Sequence, residues 1–116
     1  MTAINRINPG KLISAAVVHG DIVYISGQIA DDTSQGVKGQ TEQILAKIGA
    51  LLTQAGSDRS KLLSVNIWMD DVRHFDQMNQ AWLDWIDPAH LPARATVEAR
   101  LARPGLLVEI MATAAR

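Results

Sequence analysis

The chain has no cysteine, which excludes disulfides, thiolate nucleophiles and thiolate-bound metals together. It also lacks an excess of either charge. Eleven Lys and Arg stand against twelve Asp and Glu, for a formal net charge of −1. Neither nucleic acid nor an anionic membrane therefore has an electrostatic reason to be the partner. No apolar run approaches the length that spans a bilayer, and the opening MTAINRINPG lacks the apolar core of a secretory signal, so a cytoplasmic protein is expected. Histidine is scarce: His19, His74 and His90 share no short ligand spacing, and no metal site is expected. Repeats, low-complexity tracts and long linkers are missing as well. Residues 1–116 are read as a single domain with one hydrophobic core.

What is present is patterned. The stretch PARATVEARLARPGLLVEI, residues 92–110, holds three arginines and two glutamates among small and aliphatic residues. Side chains two apart on a strand share a face, so Arg94, Thr96, Glu98 and Arg100 fall opposite Ala95, Val97, Ala99 and Leu101. Ala102 to Gly105 reads as a turn, and LLVEIMA as a strand in which Glu109 is a lone charge. Paired as a hairpin, the two strands would carry Arg94, Glu98 and Glu109 on one surface.

Elsewhere, Lys11 to Val18 and IVYISG read as strands joined by a tight turn at His19-Gly20-Asp21. Asp31 to Gly39 is a polar loop. From Thr41 the apolar period becomes helical through Ile44, Ile48, Leu51, Leu52 and Ala55, with Gly56 where a helix ends. KLLSVNIWM is a further strand. Asp70 or Asp71 caps a second helix with the stripe Phe75, Met78, Trp82 and Trp85 or Ile86. Asp87 to Pro92 is a loop restricted by two prolines. The order predicts an α+β domain, a mostly antiparallel sheet with two helices on one face. The other face holds Val23 or Tyr24, Trp68 or Ile67, Leu107 and Met111, too apolar for water. Copies of the same chain in a closed homo-oligomer would bury it, with Arg94 and Glu109 in a cleft between subunits.

Four segments in order, YISGQIA at 24–30, DVRHFDQMN at 71–79, PARATVEARL at 92–101 and LVEIMATA at 107–114, resemble the RidA (YjgF/UK114) family of reactive imine and enamine deaminases. The resemblance covers nearly the whole chain. It implies a chorismate-mutase-like α+β fold, a homotrimer, and ligand sites in clefts between subunits. It further implies hydrolysis of 2-aminoacrylate or related 2-imino acids to 2-oxo acids and ammonia, with no cofactor.

The residue types suit that chemistry. A guanidinium grips a carboxylate with two parallel hydrogen bonds, the role of Arg94. A carboxylate can orient a water and take its proton, and Glu109 matches the family position for this, with Glu98 as the rival acid. Thr96 stands where cysteine is common in the family, so a nucleophilic sulfur is not required. Gly27 would let the backbone approach the substrate. The resemblance also places Ile13 where better-known members carry a tyrosine, and Trp82, three residues beyond Asn79, where a smaller aromatic is usual. A more apolar, differently shaped pocket follows. The blander alternatives are an ion pair of Arg94 with Glu98 or Glu109, and Trp82 as core. On function, the alternative is a non-catalytic binder of small 2-oxo or imino carboxylates; ribonuclease activity, claimed for some relatives, fits poorly with a net charge of −1.

Overall fold

In the computed structural model, which describes residues 3–116, the two-residue turn Gly20-Asp21 joins β2 (Ser14–His19) to β3 (Ile22–Gln28), with His19 opposite Ile22. Ahead of this hairpin lies a strand that the hydrophobic pattern does not announce, β1 (Ile4–Pro9), paired antiparallel to β2. Within β1 only Ile7 is buried. The ladder to β2 holds it in place of a core-facing stripe.

Helix α1 (Val37–Gln54) begins ahead of Thr41 and buries Ile44, Leu45, Ile48, Leu51 and Leu52. Each such aliphatic side chain contributes about 1.5–3 kcal/mol on burial. Gly56 ends it with φ of +81°, a conformation glycine adopts without strain. There the Gly56 N–H donates to the Thr53 carbonyl at 3.1 Å and the Ser57 N–H to that of Leu52 at 2.8 Å. After a 3-10 turn comes β4 (Leu62–Met69). Asp71 then caps a second short turn, accepting the Arg73 N–H at 3.0 Å. The turn runs into α2 (Phe75–Trp85), followed by β5 (Ala93–Glu98) and β6 (Val108–Ala115).

The six strands form one sheet in the order β1-β2-β3-β6-β4-β5. Strand β6 is antiparallel to β3 and β4, whereas β5 is parallel to β4. This corrects the expected hairpin of residues 92–110, because β4 lies between β5 and β6. The cause is α2: a helix between two strands returns the chain to the end it left, so the next strand enters parallel. Residues 99–107 then step across the end of β4 to reach β6.

Both helices cover one face, where Val23 and Ile25 of β3, Val65 and Ile67 of β4, and Val108 and Ile110 of β6 are fully or almost fully buried. The architecture is the expected α+β fold. On the uncovered face Tyr24, Val97 and Met111 are 46%, 50% and 39% exposed, with half-buried Trp68 beside Val97. Of the alternatives left open by the sequence, Val23 and Ile67 point into the core and Tyr24 and Trp68 outward. No helix among the described residues is long and apolar enough to cross a membrane.

Candidate functional site

Arg94 lies opposite Val65 in the β4–β5 ladder, and residues opposite one another share a face. Since Val65 is a core residue, the Arg94 side chain runs toward the helices. Its guanidinium carbon sits 5.0 Å from the Trp82 ring centroid and 5.8 Å from that of Phe75. Two aromatic faces at these distances fix a cation by its attraction to the ring quadrupoles. The ion pairs among the described residues are Lys47–Asp31, Arg73–Asp71 and His90–Asp87. The expected alternative, Arg94 paired with Glu98 or Glu109, is not among them. With no carboxylate to favour its charge, burial alone pushes Arg94 below its ordinary value. Two residues on, the buried Thr96 hydroxyl has no hydrogen-bond partner. Such a group typically costs about 1–3 kcal/mol. A half-buried cation and an unsatisfied hydroxyl side by side suit a small anion with acceptor oxygens.

Trp82 is only 7% exposed. It is therefore core to α2 and at the same time the floor beneath the guanidinium. Its neighbour Trp85 packs on it with centroids 6.1 Å apart. Asn79, half-buried, is three residues before Trp82 and four after Phe75, on the same side of the helix. Sequence reasoning placed Phe75 in the core stripe alone. Its spacing from Asn79 and Trp82 was the available signal that it borders the same site.

Glu109 is elsewhere. Its ladder partner is Trp68, on the uncovered face, so the sheet itself separates it from Arg94. This corrects the reading of Arg94, Glu98 and Glu109 as one surface of a hairpin. The carboxylate of Glu109 lies in the space left by the missing side chain of Gly27: a Cβ there would stand 2.2 Å from Oε2 and 3.0 Å from Cδ. Gly27 is not on a sheet edge. It sits in an interior strand, within the register shift between Ile25 and Gln28. Ile13 precedes β2 and is 65% exposed. The adjacent Ser14 carbonyl accepts a 2.6 Å hydrogen bond from Ser26 Oγ, so Ile13 borders the Gly27 end of the sheet.

The candidate residues thus form two groups on one chain. Arg94, Thr96, Asn79 and Trp82 lie on the helix side at the β5 edge, and Glu109, Gly27 and Ile13 lie at the uncovered side. Glu98 belongs to neither: its Oε1 accepts the Val72 N–H at 3.0 Å and ties β5 to the turn before α2. An open basin of about 820 Å³ bordered by Asp70, Glu98, Arg100, Arg103 and Leu106 includes no residue of either group. Its arginines are exposed loop residues.

The sequence profile of the endoribonuclease L-PSP family matches residues 3–116. A RutC family protein from Haemophilus influenzae is 39% identical over 109 residues, covering 93% of this chain and 94% of the relative. The crystal structure of an uncharacterized Pseudomonas aeruginosa protein superposes with a TM-score of 0.95 at 39% identity, over 98% of this chain and 99% of that one. A YjgF-family protein from Neisseria meningitidis gives the same TM-score at 34% identity, covering 98% and 95%. With the whole described chain matched in sequence and in fold, the protein belongs to the endoribonuclease L-PSP family, the RidA/YjgF family of proteins.

Proposed function

We propose that the protein is a cytoplasmic homotrimeric imine deaminase, hydrolysing 2-iminobutanoate- or 2-iminopropanoate-type intermediates to 2-oxo acids and ammonia without a cofactor. The observation that carries this reading is Arg94, a half-buried guanidinium held between Trp82 and Phe75 with no acidic partner among the described residues and an unsatisfied Thr96 hydroxyl on the same face of β5. A 2-imino acid supplies a planar carboxylate that matches the guanidinium fork.

The separation of Arg94 from Glu109 by the sheet supports a composite site. The apolar band of Tyr24, Trp68, Val97 and Met111 surrounds Glu109 on the uncovered face and favours burial against another copy. In a cyclic trimer each interface joins two different surfaces. Arg94, Thr96 and Asn79 of one copy would then meet Glu109, Gly27 and Ile13 of the next. Arg94 binds the substrate carboxylate and leaves the imine carbon toward Glu109. Glu109 takes a proton from water as its oxygen bonds to that carbon. Glu109 passes that proton to the nitrogen, giving the neutral carbinolamine, then carries the hydroxyl proton to the same nitrogen as the C–N bond breaks, so that ammonia leaves and the C–O bond becomes the 2-oxo group. RNA cleavage, which the family's label names, finds no electrostatic support in a chain of net charge −1.

The test is ammonia release from a panel of enzymatically generated imino acids, combined with subunit mixing. Arg94→Ala and Glu109→Gln should each be inactive. Denatured and refolded together, they should regain part of the activity, because a mixed trimer holds one site with both residues intact. Recovery from neither mixture nor wild type, with 2-oxo acid binding retained, would establish the non-catalytic binder. A folded monomer in sedimentation would remove the composite site.

A further inference from the structure

The most buried amide of the chain has no part in the chemistry above. Gln40, in the first turns of α1, is 0% exposed. Its Nε2 donates to the carbonyls of Gly105 at 2.9 Å, Gln35 at 3.1 Å and Thr33 at 3.4 Å, while its Oε1 accepts the Leu107 N–H at 2.9 Å. One side chain thus binds two irregular segments to each other and to the helix. The second of these is the connection 99–107, which joins the strand carrying Arg94 to the strand carrying Glu109. It contains no helix or strand. Apart from Gln40, it is held by Ala99 N–H to Met69 O at 2.8 Å, Asp70 N–H to Leu107 O at 3.2 Å, a turn at Arg103–Leu106, and the buried Leu106 side chain.

The placement of these contacts matters more than their number. Leu107 precedes β6 by one residue and Glu109 by two, so the bond to its N–H sets where β6 begins. A strand that slips by one residue turns every side chain to the other face. Glu109 would then leave the uncovered face for the core, and even a partial shift would lift its carboxylate from the hollow at Gly27. Replacing the amide by a methylene-rich group strands the Leu107 N–H and the Gly105 carbonyl in a dry environment, and the connection must move to rehydrate them.

We infer that Gln40 is a positioning residue, which fixes the start of β6 and through it the Glu109 carboxylate, while leaving the Arg94 side of the site untouched. The inference rests on the proposed role of Glu109 for its kinetic consequence, but not for its structural one. Gln40→Met keeps length and shape and removes all four hydrogen bonds. Thr41→Val is the control: it removes one buried bond, Thr41 Oγ1 to the Val37 carbonyl at 2.7 Å, from the next residue of the same helix without touching 99–107. In Gln40→Met, kcat should fall on the order of 10- to 100-fold per folded protein, as a misplacement of about 1 Å produces. The Kd for 2-oxobutyrate, held by Arg94, should hardly change. Amide hydrogen exchange at residues 105–109 should speed up in Gln40→Met but not in Thr41→Val.

Equal losses of kcat in the two variants, or unchanged exchange at 105–109, would overturn the inference. A wild type that turns over no imino acid would defeat the deaminase reading, and the exchange result would still decide the role of Gln40. Should Gln40→Met fail to fold, Gln40→Glu keeps the acceptor for the Leu107 N–H and, when ionised, loses the donors to the Gly105, Gln35 and Thr33 carbonyls. A smaller fall in kcat, below about tenfold, with unchanged Kd is expected of it, and an unchanged kcat would overturn the inference.

Discussion

Adding one methyl group at Gly27 should inactivate the protein without unfolding it. A Cβ at that position would stand 2.2 Å from Glu109 Oε2, 3.0 Å from Cδ and 3.3 Å from Cγ. Ordinary contact begins near about 3.4 Å, so the carboxylate must move by roughly 1 Å or more. The obstacle is the far end of a flexible side chain, and an off-rotamer displacement costs about 0.5–1.5 kcal/mol. Gly27 is not among the glycines with positive φ, so alanine adds no backbone strain. Replacing glycine within a strand recovers about 0.5–1 kcal/mol of conformational entropy. The two contributions nearly cancel, and the denaturation midpoint of Gly27→Ala should lie close to that of the wild type. Activity has no such compensation. A shift of about 1 Å at a reacting group costs on the order of 10² in rate, or about 2.7 kcal/mol of barrier. Ammonia release from 2-iminobutanoate, measured beside urea unfolding, reads both quantities. In a Glu109→Gln background the same methyl should add little to the loss already present, since the two changes act through one carboxylate. Full activity in Gly27→Ala would refute the placement of Glu109. Equal losses in both backgrounds would show that the backbone at Gly27 meets the substrate directly.

Calorimetry with 2-oxobutyrate should show Arg94→Lys binding nearly as poorly as Arg94→Ala, because lysine keeps the charge and loses the fork; loss of a charge-assisted pair worth about 1.5–3 kcal/mol weakens binding roughly 10- to 150-fold. Undiminished binding in Arg94→Ala would place the carboxylate elsewhere. Trp82→Leu removes the nearer of the two rings on Arg94 and should raise the same Kd several-fold, while Trp82→Phe, which retains a π-face, should restore most of the affinity; identical losses would reduce Trp82 to core filling. The Arg73 guanidinium, bonded to Asp71 at 2.7–3.1 Å, lowers the Asp71 carboxyl to about 2. A depressed carboxyl stabilises the fold above its unfolded value of 3.8 and loses that contribution as pH falls from there toward about 2. Carboxyl titration by NMR should find this midpoint, and Arg73→Leu should move it upward.

Residue order alone was enough for the fold class. Periods of two and of 3.6 distinguish β2, β3, β4, β5 and β6 from α1 and α2, and local chemistry marks boundaries, as Gly56 does at the end of α1; Asp71, expected to cap α2, caps instead the short turn that leads into it. Motif order likewise carried the family and the identity of Arg94 and Glu109 as residues of interest. Strand β1 escaped because it buries one side chain and is held by backbone bonds, to which side-chain periodicity is blind. The pairing of β5 escaped for a related reason. Alternation shows which side chains share a face of a strand, but not which strand lies beside it. Closeness in sequence favoured a β5–β6 hairpin, whereas the crossover through α2 inserts β5 parallel to β4 and leaves β6 on the far side. From that one difference came the placement of Arg94 beneath the helices and of Glu109 on the uncovered face. The contacts of Glu109 with Gly27, of Arg94 with Phe75, and of Gln40 with Leu107 join residues 82, 19 and 67 positions apart. Local propensity does not reach across such separations; only the packing of helices onto a closed sheet register decides them.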